Sequence, residues 1–377
     1  MYKFDKRVVI TLDAGGTNLV FGAMQANKFI VDPITLPSRA NDLDLCLATM
    51  VDGFKQVISK LETKPVAISF AFPGPADYPN GVIGGYLPNF PSFRDGVALG
   101  PFLSDTFGIP VFINNDGDLF AFGEAIGGAL PEVNARLADA GSSKRYHNLL
   151  GYTFGTGLGI GMVVGDKLNR GDNSCVETFC LRHKKCPEIF VEEGAAIRAI
   201  KRVYGELSGN KDHKFEPKDI CEIADGTKEG NREAAIKAFE EFGEIAGDAI
   251  ATGVTLVDGL IVIGGGLTGA KKYFMPSLLG ELRGKLKSLK GEELNRVQMK
   301  VFNLDSEEEF KAFAKGEERQ IKVYGSDRTV PYDPMKRVGI ITSTLGASKA
   351  ISIGAYSFAL SQIDAAANEQ EVELTEQ

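Results

Sequence analysis

The feature that most constrains the fold of this chain is a pattern that occurs twice, in which a glycine-rich turn joins two apolar runs. In the first copy, residues 8–12 and 19–24 flank the turn DAGGTN, and in the second copy residues 149–165 contain the turn GTGLG. Short apolar runs joined by a glycine turn are typical of β-hairpins. One hairpin near the start and one in the middle of the chain predict two related α/β domains that face one cleft.

Helix and strand patterns alternate through the rest of the chain. Apolar residues at helical spacing predict helices, and short buried runs predict strands. The predicted helices cover residues 45–61, 119–126, 194–204, 232–255 and 345–360, and the predicted strands cover residues 66–72, 111–114 and 260–263. Such alternation is typical of α/β domains.

The same patterns suggest where the domains begin and end. We expect an N-terminal α/β domain over residues 1–119, with the helix 345–362 packing near the hinge, and a C-terminal α/β domain over residues 120–344. Residues 286–337 are charged and irregular in pattern, which predicts a surface extension. Residues 363–377 are acidic and polar, which predicts a disordered tail.

Composition excludes several classes of function. The 377 residues are enough for two domains, and a formal net charge of -8 argues against binding to a nucleic-acid backbone. The odd number of cysteines, five, indicates a reducing compartment. No apolar run approaches the roughly 18 residues of a membrane span, and the start lacks the pattern of a signal peptide. We therefore expect a cytoplasmic protein with no membrane partner.

The first glycine turn has the residue types of a phosphate site. Glycine has no Cβ to block the approach of a phosphate to backbone N–H groups, and an Asp at a strand end can hold Mg²⁺ directly or through water. The candidate nucleotide-binding residues here are Asp13, Gly15, Gly16, Thr17 and Asn18. The alternative is a plain hairpin turn in which Asp13 serves only the local structure.

Two more glycine turns lie later in the chain. The turn Gly155, Thr156, Gly157 resembles the first turn, and together the two turns could clamp the phosphates of one nucleotide from opposite sides. The turn Gly264, Gly265, Gly266 follows a strand and would let an adenine ring lie against backbone. An ordinary strand-to-helix turn is an equally good interpretation of these three glycines.

The predicted strand that ends in VFINND carries polar residues to its carboxyl end, where open α/β sheets place reactive groups. Asp116 could accept the proton of an attacking hydroxyl while Asn115 orients the substrate. Alternatively, Asp116 or Asp118 only caps a helix that begins near residue 119. Spacing alone favours neither interpretation.

Taken in order, these motifs resemble the ROK family of sugar kinases and related repressors. The resemblance covers most of residues 8–270 and returns at residues 343–360. The motifs that carry it are DxGGT, FPGPAD, PNFP, NND, GTGLGIG, GGG and LGASKAISIGA. The resemblance implies the two-domain actin-like, ribonuclease-H-like ATPase fold. It also implies ATP-dependent phosphorylation of a sugar hydroxyl, with Mg²⁺ and ATP as cofactors and a sugar as substrate.

The resemblance also implies roles for individual residues. Asp116 would be the catalytic base. The partners of the sugar hydroxyls would be Asn89, Asn115, Asp116, Glu177 and Glu188, since amides and carboxylates can bond adjacent hydroxyls. Without the resemblance, Glu177 and Glu188 would be interpreted as surface charges on a loop.

The chain departs from the family pattern around its cysteines. Cys180 stands where the family has a His that helps to hold a structural zinc, the Cys-x-Cys pair is absent, and Asp118 replaces an Asn. Four zinc-binding residue types do lie within one short stretch: Cys175, Cys180, His183 and Cys186. Four ligands in a single segment would brace a tetrahedron poorly. We expect no tightly held metal, but free, partly buried thiols beside a His that faces solvent.

Two other functions compete with the kinase. A sugar-sensing regulator of the same family would carry a helix-turn-helix domain ahead of the first turn, but only a dozen residues precede Asp13. An actin-like ATPase would need no sugar, and the proposed sugar-binding residues argue against it. Members of the family are often dimers or tetramers, so a homo-oligomer is compatible with the resemblance.

Overall fold

The computed structural model describes residues 2–209 and 214–375. It divides into two compact units. The first unit consists of Met1–Gly128, Lys167–Val176 and Leu345–Gln377, and the second consists of Ala129–Asp166 and Glu177–Thr344. The boundary expected after residue 119 falls inside the helix Asp116–Gly127, and the observed division lies at the end of that helix.

The amino-terminal part of the first unit contains a six-stranded sheet in the order β3-β2-β1-β5-β8, with β4 paired to β2. Strands β1, β5 and β8 are parallel, and β1 and β2 form the predicted hairpin. The strands of this sheet are β1 (Val9–Ala14), β2 (Asn18–Gln25), β3 (Lys28–Phe29), β4 (Ile34–Pro37), β5 (Ala67–Ala71) and β8 (Val111–Asn114). A separate two-stranded sheet consists of β6 (Ala76–Asp77) and β7 (Val82–Ile83). The helices are α1 (Leu43–Ser59), α2 (Leu99–Phe107) and α3 (Asp116–Gly127).

Aromatic side chains fill the core of this sheet. Phe21 on β2 meets Phe54 on α1 edge to face, with ring centroids 5.1 Å apart. Helix α1 can approach this closely because residue 53 is glycine, where a Cβ would lie 2.3 Å from the Phe21 ring. The rings of Phe72 and Phe90 are 4.6 Å apart and continue the cluster beneath the carboxyl end of β5.

The second unit contains a sheet in which β10-β9-β12-β18-β15 are neighbours. Strands β9, β12, β18 and β15 are parallel, and β9 and β10 form the second predicted hairpin. The elements from residue 129 onward are α4 (Ala129–Asp139), β9 (Leu149–Phe154), β10 (Leu158–Val164), β11 (Lys167–Leu168, within the first unit), α5 (Ile197–Ser208), α6 (Pro217–Asp225), α7 (Arg232–Val257), β12 (Leu260–Gly264), α8 (Lys271–Leu282), β13 (Lys285–Lys287), β14 (Glu293–Asn295), β15 (Lys300–Asn303), α9 (Glu307–Lys315), β16 (Arg319–Lys322), β17 (Thr329–Tyr332) and β18 (Arg337–Thr342).

The long helix α7 packs against α8 at very short range. A Cβ at Gly243 would lie 2.2 Å from the carbonyl oxygen of Phe274, so only glycine allows this contact. Phe154, Phe242 and Phe274 meet in the core that the contact encloses, with ring centroids 5.1 to 5.9 Å apart.

The prediction of a surface extension over residues 286–337 is wrong for the middle of that segment. Strand β15 belongs to the central sheet, and Phe302, Phe310 and Phe313 are buried beside it. The charged residues that suggested a surface segment lie mainly on the exposed face of α9 and on the exposed hairpins β13–β14 and β16–β17.

The last helix, α10 (Ala347–Thr375), returns to the first unit and packs against α3. Their backbones touch, because a Cβ at Gly123 would lie 1.9 Å from the carbonyl oxygen of Ala350. The helix runs on through most of residues 363–377, which we expected to be disordered. Asp364 fastens it, since this carboxylate accepts hydrogen bonds from Arg7 (2.5 Å) and Tyr2 (2.8 Å). Among the described residues, no helix combines the length and the apolar character that a membrane crossing requires.

Candidate active site

Parallel strand pairing gathers the candidate residues of the first unit at one edge of its sheet. Asp13 is in register with Ala71 on the neighbouring strand, and Ala71 is in register with Asn114 on the next. The three strands therefore end at the same level, and the residues that follow β8 emerge at the edge where Asp13 lies. Carboxyl ends of parallel strands are the usual position of reactive groups in such sheets.

The turn between β1 and β2 has a fixed backbone. The Gly15 N–H donates to the carbonyl oxygen of Asn18 at 2.9 Å, and Ser38 N–H donates to that of Thr17 at 2.9 Å. A Cβ at Gly16 would lie 3.0 Å from the Cβ of Asn89, so Asn89 packs directly onto the turn. The structure thus brings one predicted sugar-binding residue onto the first glycine turn.

The N-terminus of α3 settles which residue caps that helix. The helix begins at Asp116, and the side chain of Asn115 accepts a hydrogen bond from the Gly117 N–H at 2.7 Å. The interpretation in which Asp116 or Asp118 is only an N-cap, with a helix beginning near residue 119, is therefore wrong. Asn115 has the extended backbone and short polar side chain that favour the cap position.

Asp116 has an unusual electrostatic environment. Its side chain remains accessible to solvent, yet the surrounding protein displaces part of its hydration shell. This desolvation, together with the negative charge of Asp13, raises the pKa of Asp116 to about 6. A carboxylate with such a pKa holds a proton more readily than an ordinary Asp, which suits a general base near neutral pH.

Asp118 lies in a different environment, although it is only two residues away. Its side chain is 6% exposed, and burial raises its pKa to about 7, opposed by the positive charge of Arg170. Arg170 donates to the Asn114 side-chain oxygen at 2.9 Å and lies over the Phe358 ring, 5.1 Å from its centroid. Arg170 thus supports the residue that precedes the Asn115–Asp116 pair.

The glycine turns of the second unit also meet at one sheet edge. Gly264 at the end of β12 is in register with Thr153 on β9, so the turn after β12 lies beside the turn after β9. Gly265 has a φ of 93°, and a Cβ there would lie 2.4 Å from the carbonyl oxygen of Phe154. The chain then enters the 3-10 helix Gly266–Ala270. The three glycines therefore do form a strand-to-helix turn, which was one of the two interpretations of their sequence. The adenine contact stays a prediction.

Glu177 and Glu188 lie near the two ends of a loop in the second unit. Glu177 is half-buried and Glu188 is exposed. The loop folds back on itself, since the Val191 N–H donates to the carbonyl oxygen of Leu181 at 2.7 Å and the His183 N–H donates to that of Ile189 at 2.9 Å. Glu177 and Glu188 lie outside the strands, so strand pairing does not fix their positions. Their contacts with the sugar stay a prediction.

The side chains considered for zinc do not form a site. His183 is buried rather than facing solvent, and its Nδ1 accepts backbone N–H groups of Lys185 and Cys186, each at 3.2 Å. The thiols of Cys175, Cys180 and Cys186 are exposed rather than partly buried. Across residues 2–209 and 214–375, no three or more His, Cys, Asp or Glu side chains are grouped as metal ligands. The residues present therefore do not fit the zinc that the resemblance implies.

Sequence reasoning missed three side chains that support these turns. Arg170 contacts Asn114, which is 56 residues away in the sequence. Glu192 and Arg198 contact the turn after β9, at separations of 34 and 42 residues. No local pattern marks such long-range contacts, and the sequence predicts only a helix over residues 194–204, which includes Arg198 but not Glu192.

Comparison with known proteins assigns the fold and the family. The ROK family model matches residues 9–301. The chain is 57% identical to the glucokinase of Parabacteroides distasonis, whose structure gives a TM-score of 0.88 and covers 96% of this chain and 99% of that one. A ROK family glucokinase from Streptomyces griseus, solved with glucose and AMPPNP, shares the fold at 18% identity, with a TM-score of 0.58 and coverage of 92% and 98%.

A curated relative of another kind is the xylose repressor of Bacillus spizizenii. It is 23% identical over 221 residues, which cover 54% of this chain and 50% of the repressor. The chain thus spans about half the length of this relative. The structural matches confirm the expected two-domain actin-like, ribonuclease-H-like ATPase fold. The profile match and the identity to the Parabacteroides protein show that the chain belongs to the ROK family.

Proposed function

We propose that this protein transfers the terminal phosphoryl group of ATP to a hydroxyl group of a hexose, with glucose as the first candidate. The observation that carries the proposal is the position of Asp116, accessible at the strand edge beside Asp13 with a pKa raised to about 6. The choice of glucose rests on the 57% identity to a glucokinase.

Asp116 acts as the general base in this proposal. Its carboxylate takes the proton of the attacking sugar hydroxyl while the hydroxyl oxygen bonds to the γ-phosphorus and ADP departs with the pair of electrons of the broken P–O bond. A positioned base of this kind contributes about 10²–10⁴-fold to the rate. Because Asp13 and desolvation raise the pKa of Asp116, the carboxylate is a stronger base than an ordinary Asp.

Amides and carboxylates orient the sugar. Asn115 uses its side-chain oxygen as the helix cap, which leaves its NH₂ group to donate to a sugar hydroxyl. Asn89, packed on the first glycine turn, offers a second amide. Glu177 and Glu188 would accept from further hydroxyls. Such a set discriminates against an analogue that lacks a hydroxyl, because a polar side chain that has given up its water to the bound sugar would then be left unpaired.

The glycine turns bind the nucleotide. Backbone N–H groups of the turns after β1 and β9 hold phosphate oxygens, and the turn after β12 lies against the adenine ring. Asp13, an accessible carboxylate at a strand end, fits Mg²⁺, which takes one or two carboxylates together with phosphate oxygens and waters. When bound, the ion neutralises charge that develops on the transferred phosphoryl group.

A sugar-sensing regulator is the second candidate, and the similarity to the xylose repressor favours it. Such a protein would bind the sugar without turning over ATP. The excess of acidic over basic residues, 50 against 42, argues against a DNA-binding surface on this chain.

The test is an ADP-release assay with Mg-ATP across a panel of hexoses, amino sugars and N-acetyl sugars. We expect ADP release that depends on the sugar, with glucose among the best substrates. Sugar binding without ADP release would favour the regulator, and ADP release without any sugar would favour the ATPase.

A further inference from the structure

The turn after β9 is held along its length by one short segment of the second unit. The Gly155 carbonyl oxygen accepts from the Ile197 N–H at 2.9 Å. The Thr156 carbonyl oxygen accepts from Arg198 Nη1 at 3.1 Å, and the Leu158 N–H donates to Glu192 Oε2 at 2.8 Å. The backbone of the turn is therefore fixed by residues 192–198, and not only by the two strands that it joins.

Glu192 and Arg198 also bind each other. Arg198 Nη2 donates to Glu192 Oε1 at 2.8 Å, while Arg198 Nε donates to Glu193 at 2.7 Å. The side chain of Glu192 is 20% exposed, so its charge is partly shielded from water. A Cβ at Gly157 would lie 2.6 Å from Glu192 Oε2, which means that glycine is required for the carboxylate to reach the turn.

Two N–H groups of the turn are left over. In the part of the chain that the structure describes, the backbone N–H groups of Thr156 and Gly157 have no hydrogen-bond partner within the protein. The segment 192–198 thus bonds the carbonyl groups and the outer N–H of the turn, and leaves adjacent N–H groups for a ligand. Successive free N–H groups are the arrangement that binds phosphate oxygens.

We propose that Glu192 and Arg198 are positioning residues for nucleotide binding, which hold the turn 155–158 in the conformation that accepts the triphosphate. This inference rests on the proposed use of ATP. Neither side chain has to touch the nucleotide, because both act through the backbone of the turn. The family resemblance did not single out either residue.

The pair has an electrostatic consequence as well. A carboxylate next to a phosphate site would repel the nucleotide, and the positive charge of Arg198, which bonds both Glu192 and Glu193, offsets part of that repulsion. Loss of Arg198 therefore removes a hydrogen bond to Thr156 and also exposes the charge of Glu192. Loss of Glu192 removes the bond to Leu158 and one of the two carboxylate partners of Arg198, which keeps its bond to Glu193.

The experiment measures binding of Mg-AMPPNP by calorimetry, which does not depend on turnover, alongside KM for ATP and kcat. We expect Glu192→Ala to weaken AMPPNP binding about tenfold, as for the loss of one charge-assisted hydrogen bond. Glu192→Gln keeps an acceptor for the Leu158 N–H and should recover to within about threefold of wild type.

Arg198→Ala should weaken binding more than Glu192→Ala does, and adding Glu192→Gln to Arg198→Ala should restore part of the loss by removing the unpaired charge. The sugar affinity without nucleotide should stay unchanged. The control is Arg202→Ala, on the same helix, whose guanidinium pairs with the exposed Glu206. We expect wild-type nucleotide binding from this control.

Unchanged AMPPNP affinity in both Glu192→Ala and Arg198→Ala would overturn the inference. So would tighter binding in Glu192→Ala, because Glu192 would then be occupying the place of a phosphate. If an alanine variant does not fold, Arg198→Lys decides, because lysine keeps the positive charge but cannot reproduce the guanidinium bonds to Thr156, Glu192 and Glu193. Unchanged AMPPNP affinity in this variant would overturn the inference. Wild-type protein that binds AMPPNP but phosphorylates no sugar would refute the proposed function and leave this inference standing. Wild-type protein that does not bind AMPPNP would overturn both.

Discussion

Asp116 and Asp118 show how two carboxylates of one helix turn acquire different roles. Asp118 is buried beside Arg170 and is not accessible to a substrate, whereas Asp116 is accessible and lies near Asp13. Both have raised pKa values, so the pKa alone does not identify the base. Accessibility and the position at the strand edge favour Asp116.

Replacing the proposed base gives the first prediction. Asp116→Asn keeps the size of the side chain but removes the proton acceptor, so kcat should fall about 10²–10⁴-fold while sugar and AMPPNP still bind. Asp118→Asn is the matched control, with the same change two residues away, and we expect it to retain at least a tenth of wild-type kcat. Steady-state kinetics of the two variants decide. If Asp118→Asn lost activity and Asp116→Asn did not, the assignment of the base to Asp116 would be wrong.

The pH dependence of the rate gives a second prediction. Asp116 is active when deprotonated, and its pKa is raised to about 6 by desolvation and by Asp13. The value of kcat/KM for the sugar should therefore be constant at neutral pH and fall tenfold per pH unit as the pH drops below about 6. Residual activity of Asp116→Asn should lack this acidic limb. A wild-type profile that stays flat down to pH 4.5 would contradict the assignment.

Arg170 gives a stability prediction for the first unit. Arg170→Ala leaves the buried side-chain oxygen of Asn114 without its donor and removes the contact with the Phe358 ring. Loss of these contacts should lower the free energy of unfolding by about 1–3 kcal/mol in urea titrations. Arg94→Ala is the control, because Arg94 is exposed and its guanidinium lies over the exposed ring of Tyr86. Equal stability of the two variants would show that the Asn114 contact contributes nothing.

At the scale of elements, the turn after β9 offers a clean test of nucleotide binding. A Cβ at Gly155 would meet no protein atom within 4 Å, so Gly155→Ala should fold normally. The added methyl group would obstruct only a bound ligand, and we expect KM for ATP to rise while sugar affinity without nucleotide is unchanged. Gly280→Ala in α8 also has open space and serves as the control. Unchanged ATP kinetics in Gly155→Ala would show that this turn is an ordinary hairpin turn that does not bind the nucleotide.

The hairpins and central strands could be predicted from the sequence because their signals are local. Short apolar runs that end in glycine turns indicated β1–β2 and β9–β10, and the helices α1 and α7 followed from apolar spacing. The start of α3 was placed too late, because Asn115 was considered as a substrate residue and not as a cap.

The segment 286–337 shows why some elements escaped prediction. Three phenylalanines between its charged residues are buried, although the local sequence predicted an exposed segment. Their burial depends on the pairing of β15 with β18, which lies more than thirty residues later in the sequence. A local signal was present for α9, since Ser306 caps the helix by accepting from the Glu309 N–H. The helical course beyond residue 362 depends on the contact of Asp364 with Arg7, which lies 357 residues away.

The same distinction holds for the candidate site. The glycine turns and Asp116 could be found from motifs, because each motif is contiguous. The cap role of Asn115, the contact of Asn89 with Gly16 and the bonds from Glu192 and Arg198 are all long-range or geometric. The roles of Glu177 and Glu188 come from the family resemblance alone, and they stay predictions.

At the scale of the whole molecule, two units each present glycine turns at the carboxyl edge of a parallel sheet. The first unit contains Asp13, Asp116 and the turn after β1, and the second unit contains the turns after β9 and β12. The proposed chemistry uses Mg²⁺, and we expect it to proceed without zinc.

Metal removal tests that statement. His183 Nδ1 already accepts two backbone N–H groups, so it is not available as a zinc ligand through that atom. We expect less than about a tenth of an equivalent of zinc by elemental analysis of protein purified without added metal. A zinc-selective chelator should leave Mg-supported activity intact, whereas EDTA should abolish activity until Mg²⁺ is restored. Near-stoichiometric zinc that is lost in a Cys180→Ser, Cys186→Ser double variant would contradict this prediction.

The central claim is that Asp116 activates a sugar hydroxyl for attack on ATP. The most direct measurement follows the γ-phosphate of labelled ATP in the presence of glucose, for the wild type and for Asp116→Asn. The account predicts one sugar phosphate for each ADP formed by the wild type, and a rate about 10²–10⁴-fold lower for the variant. ADP and free phosphate without sugar phosphate, or equal transfer by the two proteins, would contradict it.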